Sequence, residues 1–290
     1  MGNKSQLTLT KKSKQKTIAI ITCWYGPYPW YFPYFMHSCK FNPTIDFLII
    51  TDNHAQILNK SENVNIIHKT LEEIRATASE KMGFIVNIDY AYKLCDFKPT
   101  YGFLFPEVIA GYDFWGHGDI DIIYGNIRNF MTNEILNNYD VISSRHDYIT
   151  GTYCLFRNNE KINTLFMQSK DYQLVFSDSF HYCFDECNFL FSELQNGASI
   201  FEFPDNIQSM TYVVQKASRE NKLRAFFDFM IIEGNPGKIT WQNGKVTYKE
   251  KYECMFYHLI KFKTSCKPER KINHVPDVFH FTPTRILFKK

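Results

Sequence analysis

Two short apolar runs limit most strongly what this chain can fold into: Thr17-Ile-Ala-Ile-Ile-Thr-Cys23 and Ile45-Asp-Phe-Leu-Ile-Ile-Thr51. A run rich in β-branched residues, without polar alternation, is how a strand buried on both faces reads. Such strands belong to parallel sheets covered by helices. Both runs fall far short of the roughly 18–20 residues that a membrane-spanning helix needs. Trp24-Tyr-Gly-Pro-Tyr-Pro29 breaks the first run, and a helix is expected over Trp30–Cys39. The second run ends at Asp52, followed by a strand at Val64–Ile67 and a helix over Leu71–Lys81. This β-α-β-β-α rhythm predicts an open α/β sheet wound like a nucleotide-binding fold.

Further along, a helix is expected around Pro99–Ile109 and a strand at Tyr112–Trp115. Strands follow at Tyr139–Ser143 and Thr152–Phe156, with helices over Glu160–Ser169 and Phe184–Leu194. From about residue 225 the texture becomes all-β. Ile239–Gln242 and Lys245–Tyr248 flank Asn243-Gly244, a two-residue hairpin signal, and Cys254–Leu259 and Val278–Phe281 read as further strands. No repeat, linker or clear domain boundary interrupts the sequence.

Charge is spread unevenly behind a net +3. Residues 1–16 carry five lysines and no acid, and residues 251–290 carry nine basic groups against three acidic ones. The body between them is therefore acidic, with 27 acids against 19 bases. That balance argues against nucleic acid as a partner, which calls for a basic face through the fold, and it suits a metal site with an anionic ligand. The basic start leads into no small-residue cleavage site, so a signal peptide is not expected. The eight cysteines then read as reduced thiols of a cytoplasmic protein.

The stretch Tyr112-Asp-Phe-Trp-Gly-His-Gly-Asp-Ile-Asp-Ile-Ile-Tyr-Gly125 carries the densest chemistry. Asp119 and Asp121 follow an apolar strand at the sheet's carboxyl edge, where open α/β sheets bind ligands. A turn begun at Gly116 or Gly118 would let both carboxylates reach one divalent cation. Hard oxygen donors suit Mg²⁺ or Mn²⁺, which neutralise a diphosphate. A solvated acidic turn is the plainer alternative. The chain has no nucleophile elbow and no phosphate-binding loop, and Gly116–Gly118 lacks the third glycine of a dinucleotide fingerprint.

This pattern resembles the GT-A glycosyltransferases, nucleotide-sugar-dependent enzymes with an Asp-X-Asp motif after a central strand. More narrowly, the chain is similar to a family of mostly bacterial capsule and O-antigen polysaccharide-cluster proteins related to them. The likeness rests on Asn42–Asp52, Tyr92–Gly102, Tyr112–Gly125 and Tyr257–Lys263, in the order a GT-A domain requires. Ile260 and Phe262 stand where that family's last stretch has glutamine and arginine. The resemblance implies a GT-A-like α/β fold with a Rossmann-type, mostly parallel sheet and a smaller β-rich C-terminal region. It divides one continuous domain into a flexible tail (1–16), a nucleotide-sugar-binding half (17–125) and an acceptor-binding half (126–290).

The resemblance also implies roles. Thr22, Trp24 and Tyr25 would cradle the nucleotide and Asp52 would bind base or ribose. Lys93 and Asp96, three apart on a helical turn, would contact ribose, base or donor sugar, although a surface ion pair is the simpler reading. Asp121 would hold the metal, with Asp119 on metal or sugar. His258 would be the third metal ligand, in competition with His274 and His280, and Lys261 and Lys263 would hold the diphosphate. Asp185 or Glu186 would supply a base for an inverting transfer, unless the pair merely caps a helix. The spacing of His181, Cys183 and Cys187 does not build a zinc site.

The expected activity is transfer of a hexose from a nucleotide diphosphate sugar, UDP-linked, to a glycan or lipid-linked oligosaccharide in surface polysaccharide synthesis. Mn²⁺ or Mg²⁺ would assist. The tail Lys4–Lys16 would add attraction to the inner membrane face, about 1 kcal/mol per lysine near anionic lipid. Two other classes use the same residues: a metal-dependent nucleotidyltransferase or hydrolase, and a non-catalytic sugar or nucleotide binder.

Overall fold

In the first strand, Ile18–Trp24, the side chains alternate between two cores. Ile18 and Ile20 pack on one face of the sheet, and Ala19 and Ile21 on the other. The next strand behaves alike, with Phe47 and Ile49 on one side and Leu48 and Ile50 on the other. Burial on both faces is what the two apolar runs require, and each core is closed by helices or by a second sheet. The protein, here a computed structural model, is described for residues 14–57, 60–266, 268, 272 and 274–288. Most of the basic stretch Lys4–Lys16 thus lies outside the described residues.

The strands are β1 (Ile18–Trp24), β2 (Ile45–Thr51), β3 (Val64–His68), β4 (Phe114–Gly118) and β5 (Ile122–Tyr124). Then come β6 (Val141–Ser143), β7 (Tyr153–Arg157), β8 (Ala225–Phe227), β9 (Ile231–Ile232) and β10 (Ile239–Gln242). The last are β11 (Lys245–Tyr248), β12 (Tyr252–Cys254), β13 (Phe256–His258), β14 (Val278–Phe281) and β15 (Ile286–Phe288). The central sheet has seven strands in the order β3-β2-β1-β4-β7-β6-β8. Only β7 runs against the rest. The order 3-2-1-4 is that of doubly wound nucleotide-binding sheets, whose crevice opens where the order reverses, between β1 and β4.

Helix α1 (Phe32–Lys40) starts with proline in its first turn and packs Phe35 and Cys39 into one core. Helix α2 (Leu71–Met82) is set by a capping box between Thr70 and Glu73 and stopped by Gly83 in the left-handed region, φ +75°. Helix α3 (Met210–Arg219) buries Val213, Val214 and Ala217 against the opposite core. A five-stranded antiparallel sheet, β12-β11-β10-β14-β15, forms the C-terminal region. A three-stranded one, β5-β13-β9, joins it to the centre. The Asn243-Gly244 hairpin forms as expected, both residues at positive φ (46° and 80°).

Three expectations need correction. Pro99–Ile109 is not one helix but short turns over Leu94–Phe97, Lys98–Thr100 and Tyr101–Leu104. Pro99 removes a backbone donor there, and Pro106 follows the last turn. Glu160–Ser169 splits into Glu160–Asn163 and a 3₁₀ turn, Leu165–Gln168. Phe184–Leu194 is helical only at Phe191–Gln195, because Cys183, Asn188 and Phe189 lie at φ +52°, +51° and +64°. Asp185 and Glu186 therefore sit in a turn, not at a helix start. All eight cysteines are free. Burial raises their thiols, Cys23 to about 12 and Cys254 to about 11. No helix among the described residues is long and apolar enough to cross a membrane.

Candidate functional site

Strand β4 continues through Gly116-His117-Gly118, three residues beyond the strand end expected at Trp115. Gly118 is required there: a Cβ would lie 2.5 Å from the Tyr124 hydroxyl and 2.9 Å from Ile20. The chain turns instead at Ile120-Asp121 and leaves for β5 in the joining sheet. Asp119 thus ends one strand and Asp121 precedes another, which swings both carboxylates to one place. Antiparallel pairing of β5 with β13 sets His258 opposite Ile122, next to Asp121. Single side-chain atoms of Asp119, Asp121 and His258 lie within 4.8 Å of one another.

Two ammonium groups flank the cluster. Lys98 Nζ donates to Asp119 Oδ1 (2.6 Å) and to the Gly151 carbonyl (2.9 Å), and stands 3.7 Å from Asp185 Oδ2. Lys263 Nζ donates to Asp121 Oδ2 at 2.7 Å. Burial pushes the Asp121 carboxyl upward, yet the hydrogen bond and charge of His258, joined by Lys263, hold it well below the usual carboxylate range. His258 shows the converse. Burial opposes its charge, but Asp121 and Glu233 lift it to about 9. Burial works against the Lys98 charge, but the carboxylates of Asp119 and Asp185 raise its pKa well above normal.

Glu233 is a residue that the sequence reading missed. It follows β9, whose parallel register with β13 pairs Tyr257 with Ile232 and so brings Glu233 alongside His258. His258 Nδ1 lies 3.1 Å from Glu233 Oε1, leaving Nε2 to face Asp121 Oδ2 at 3.5 Å. Arg145 in turn donates to Glu233 Oε2 (2.6 Å) and to both oxygens of Asp147. The one signal available was an acid directly after the short apolar pair Ile231-Ile232. Lys98, inside the stretch that carried the family likeness, was passed over for Lys93.

The donor set fits a hard divalent cation. Two carboxylates and one imidazole offer oxygen and nitrogen, and the imidazole is oriented through its other nitrogen by a carboxylate, as metal-bound histidines are. Replacing Glu233 by glutamine is expected to weaken Mn²⁺ binding by about 10–100-fold, the usual cost of losing such a partner. Titration calorimetry on metal-free protein checks this.

The other expected residues fall in several groups. Thr22, buried, gives its hydroxyl proton to the Gly118 carbonyl (2.7 Å), tying β1 to β4 beside the cluster. Asp52 accepts from the Gly26 amide (3.1 Å) and Asn53 donates to the Gly26 carbonyl (2.9 Å), pinning the loop that carries Trp24 and Tyr25. This second group lines the carboxyl edge. Asp185 is buried against Lys98, and burial first, with Glu186 adding repulsion, raises its carboxyl well above normal. Glu186 accepts from the Gly151 amide at 2.8 Å. A side chain at position 151 would collide with Asp185.

Lys93 and Asp96 are not brought to the cluster. Both are fully buried and paired at 2.9 Å, with Asp96 accepting from the amides of Tyr182 and Phe184. His274 is exposed and His280 Nδ1 sits 2.9 Å from Thr240 in the C-terminal sheet, so of the three histidines only His258 joins the acidic pair. Lys261 is exposed in the turn preceding Lys263. His181 faces Asp96 at 3.1 Å.

No curated protein matches this chain in sequence. Solved structures similar to part of it include the galactosyltransferase LgtC in complex with donor and acceptor sugar analogues. That protein is 13% identical at a TM-score of 0.34, over 57% of this chain and 66% of that one. An active-site mutant of LgtC is 14% identical at 0.29, over 48% and 57%. The glycosyltransferase GlyE of Streptococcus pneumoniae TIGR4 is 10% identical at 0.32, over 53% and 38%. The chain thus spans less than two thirds of each. Residues 20–290 match one family model, and the chain belongs to that family, the family of unknown function DUF6625.

Proposed function

We propose that this protein is a metal-dependent glycosyltransferase that moves a hexose from a nucleotide diphosphate sugar, UDP-linked, to a glycan acceptor. The observation that carries the reading is the convergence of Asp119, Asp121 and His258 at the carboxyl edge of a doubly wound sheet. A Mn²⁺ or Mg²⁺ ion held there supplies charge neutralisation for a departing diphosphate. The remaining roles belong to the chain itself. Lys263, 2.7 Å from Asp121, and Lys261 offer ammonium groups to the phosphates, and Trp24 and Tyr25 present rings to the base. Asp52 would meet the ribose.

In the transfer, the acceptor oxygen forms a bond to the anomeric carbon as the bond to the phosphate oxygen breaks, and the nucleoside diphosphate leaves with the electron pair. Asp185 takes the acceptor's hydroxyl proton. It stands 3.7 Å from Lys98, and the Gly151 amide fixes its neighbour Glu186. The acceptor is placed on a lipid-linked oligosaccharide at the cytoplasmic membrane face, with the basic tail as a weak anchor.

Incubation with a panel of nucleotide sugars and Mn²⁺ tests this. Nucleoside diphosphate release from one donor, abolished by EDTA, is expected. Release of pyrophosphate or a nucleoside monophosphate would assign a nucleotidyltransferase or hydrolase instead. Absence of any metal-dependent nucleotide binding would overturn the proposal.

A further inference from the structure

Connections between strands normally run over the surface, where water serves their backbone polar groups. The loop between β6 and β7, residues 144–152, does not: His146 is its one exposed residue, and Ser144, Arg145, Thr150 and Thr152 are all buried. Its polar groups face the candidate site. The Thr152 carbonyl accepts from the Asp119 amide at 3.1 Å, and the Thr152 hydroxyl lies 3.4 Å from His258 Nδ1. The Gly151 carbonyl accepts from Lys98. Arg145 makes the longest reach, across to Glu233.

The Arg145 guanidinium is fixed from several sides. Its Nε and Nη2 donate to Asp147 Oδ1 (2.9 Å) and Oδ2 (2.6 Å), a two-pronged grip that sets the plane of the fork. The Tyr148 and Phe229 rings lie against it, with centroids 4.6 and 5.3 Å from Cζ. Nη1 is left to donate to Glu233 Oε2 at 2.6 Å. Glu233 needs such a hold. It follows a strand of only two residues, and its side chain is 29% exposed where those of Arg145 and His258 are 7% and 6%.

His258 Nδ1 has two neighbours of different character, Glu233 Oε1 at 3.1 Å and the Thr152 hydroxyl at 3.4 Å. A carboxylate only accepts, so beside it Nδ1 carries a hydrogen, and a neutral ring then keeps the lone pair of Nε2, the atom facing Asp121 Oδ2. A hydroxyl can donate as well as accept. With Glu233 turned to water, Thr152 could donate to Nδ1 and leave the hydrogen on Nε2, which blocks the ligand atom.

We infer that Arg145 is a positioning residue of the cation centre: anchored on Asp147, it holds Glu233 where it keeps Nε2 of His258 free for the ion. The inference rests on the metal-dependent reading and extends it to residues that touch neither ion nor substrate. A plain structural ion pair would tie the loop to β9 and have no route to the ion through Glu233.

Titration calorimetry of metal-free protein with Mn²⁺, alone and with UDP present, separates the two. Arg145→Met is expected to weaken Mn²⁺ binding about tenfold, at the lower end of what loss of an outer partner costs. Arg145→Lys keeps the charge but lacks the fork that spans two carboxylates, and loses part of the same affinity. In a Glu233→Gln background either substitution should change the affinity by no more than about twofold, because the route to the ion is already cut. Arg145→Met leaves two acids without their counter-charge; if it does not fold, the cycle built on Arg145→Lys decides. Unchanged affinity in the folded Arg145 variants, or the same fold-loss with and without Glu233, overturns the clamp and leaves the cation centre standing. Wild-type protein that takes up no Mn²⁺ in either condition overturns the cation centre and the clamp with it.

Discussion

Asp121→Asn is expected to reduce metal-dependent nucleoside diphosphate release by on the order of 10²–10³, the range lost when one preorganised electrostatic contact at a reacting centre is removed. The substitution keeps the shape of the side chain and removes its charge. His258 and Lys263, now facing each other across a neutral amide, repel, and the low-lying carboxylate that both had stabilised is gone. The backbone is spared, because the Leu259 amide donates to the Asp121 carbonyl and not to its side chain. A thermal melt verifies that the variant is folded at the assay temperature, where turnover separates the two proteins. Full turnover in the variant would remove the cluster from the mechanism.

Lys93→Met is expected to destabilise the fold by about 3–5 kcal/mol, because it leaves the Asp96 charge buried without its ion partner. It also strands the Val175 and Phe180 carbonyls that Lys93 serves. Urea denaturation followed by tryptophan fluorescence measures the loss. The sign of the pH dependence follows from Asp96. Burial works against its carboxylate, but His181, Lys93 and the Phe184 amide win and hold its pKa below the ordinary value. A depressed acid contributes stability above its unfolded pKa, near 4, and that contribution disappears as pH falls through the folded value. The gap between wild type and Asp96→Asn should accordingly close on acidification and be widest at neutral pH. A constant gap would show that Asp96 is held by hydrogen bonds alone.

The parts of the fold legible in the sequence are those decided locally. Buried runs at Ile18–Trp24 and Ile45–Thr51 need no tertiary knowledge, since only a strand covered on both faces tolerates them, and Asn243-Gly244 names its own turn. The carboxylates of Asp119 and Asp121 were legible for a similar reason, standing where a strand ends. Phe184–Leu194 misled because its apolar spacing is helical, while its backbone answers to Lys93 and Asp96, some ninety positions earlier. Periodicity carries no record of such a pull. The resemblance gave Lys93 and Asp96 a ligand role, and their i, i+3 spacing does not say whether the pair points to water or inward. Glu233 escaped because its meeting with His258 depends on a parallel register between two very short strands.

The joining sheet has a consequence for the order of events during folding. Asp121 and Lys263 meet across 142 positions of chain, and His258 reaches the acidic turn only when β13 docks between β5 and β9. The central sheet's first strands pair through far shorter loops, and long loops close late because their entropy must be overcome before any contact rewards it. On that ground the pairing of β1, β2 and β3 is expected to precede assembly of the three-residue cluster. In the interval two like-charged carboxylates stand side by side with no counter-charge from the C-terminal segment. The cluster is therefore complete only once β13 has paired with β5 and β9.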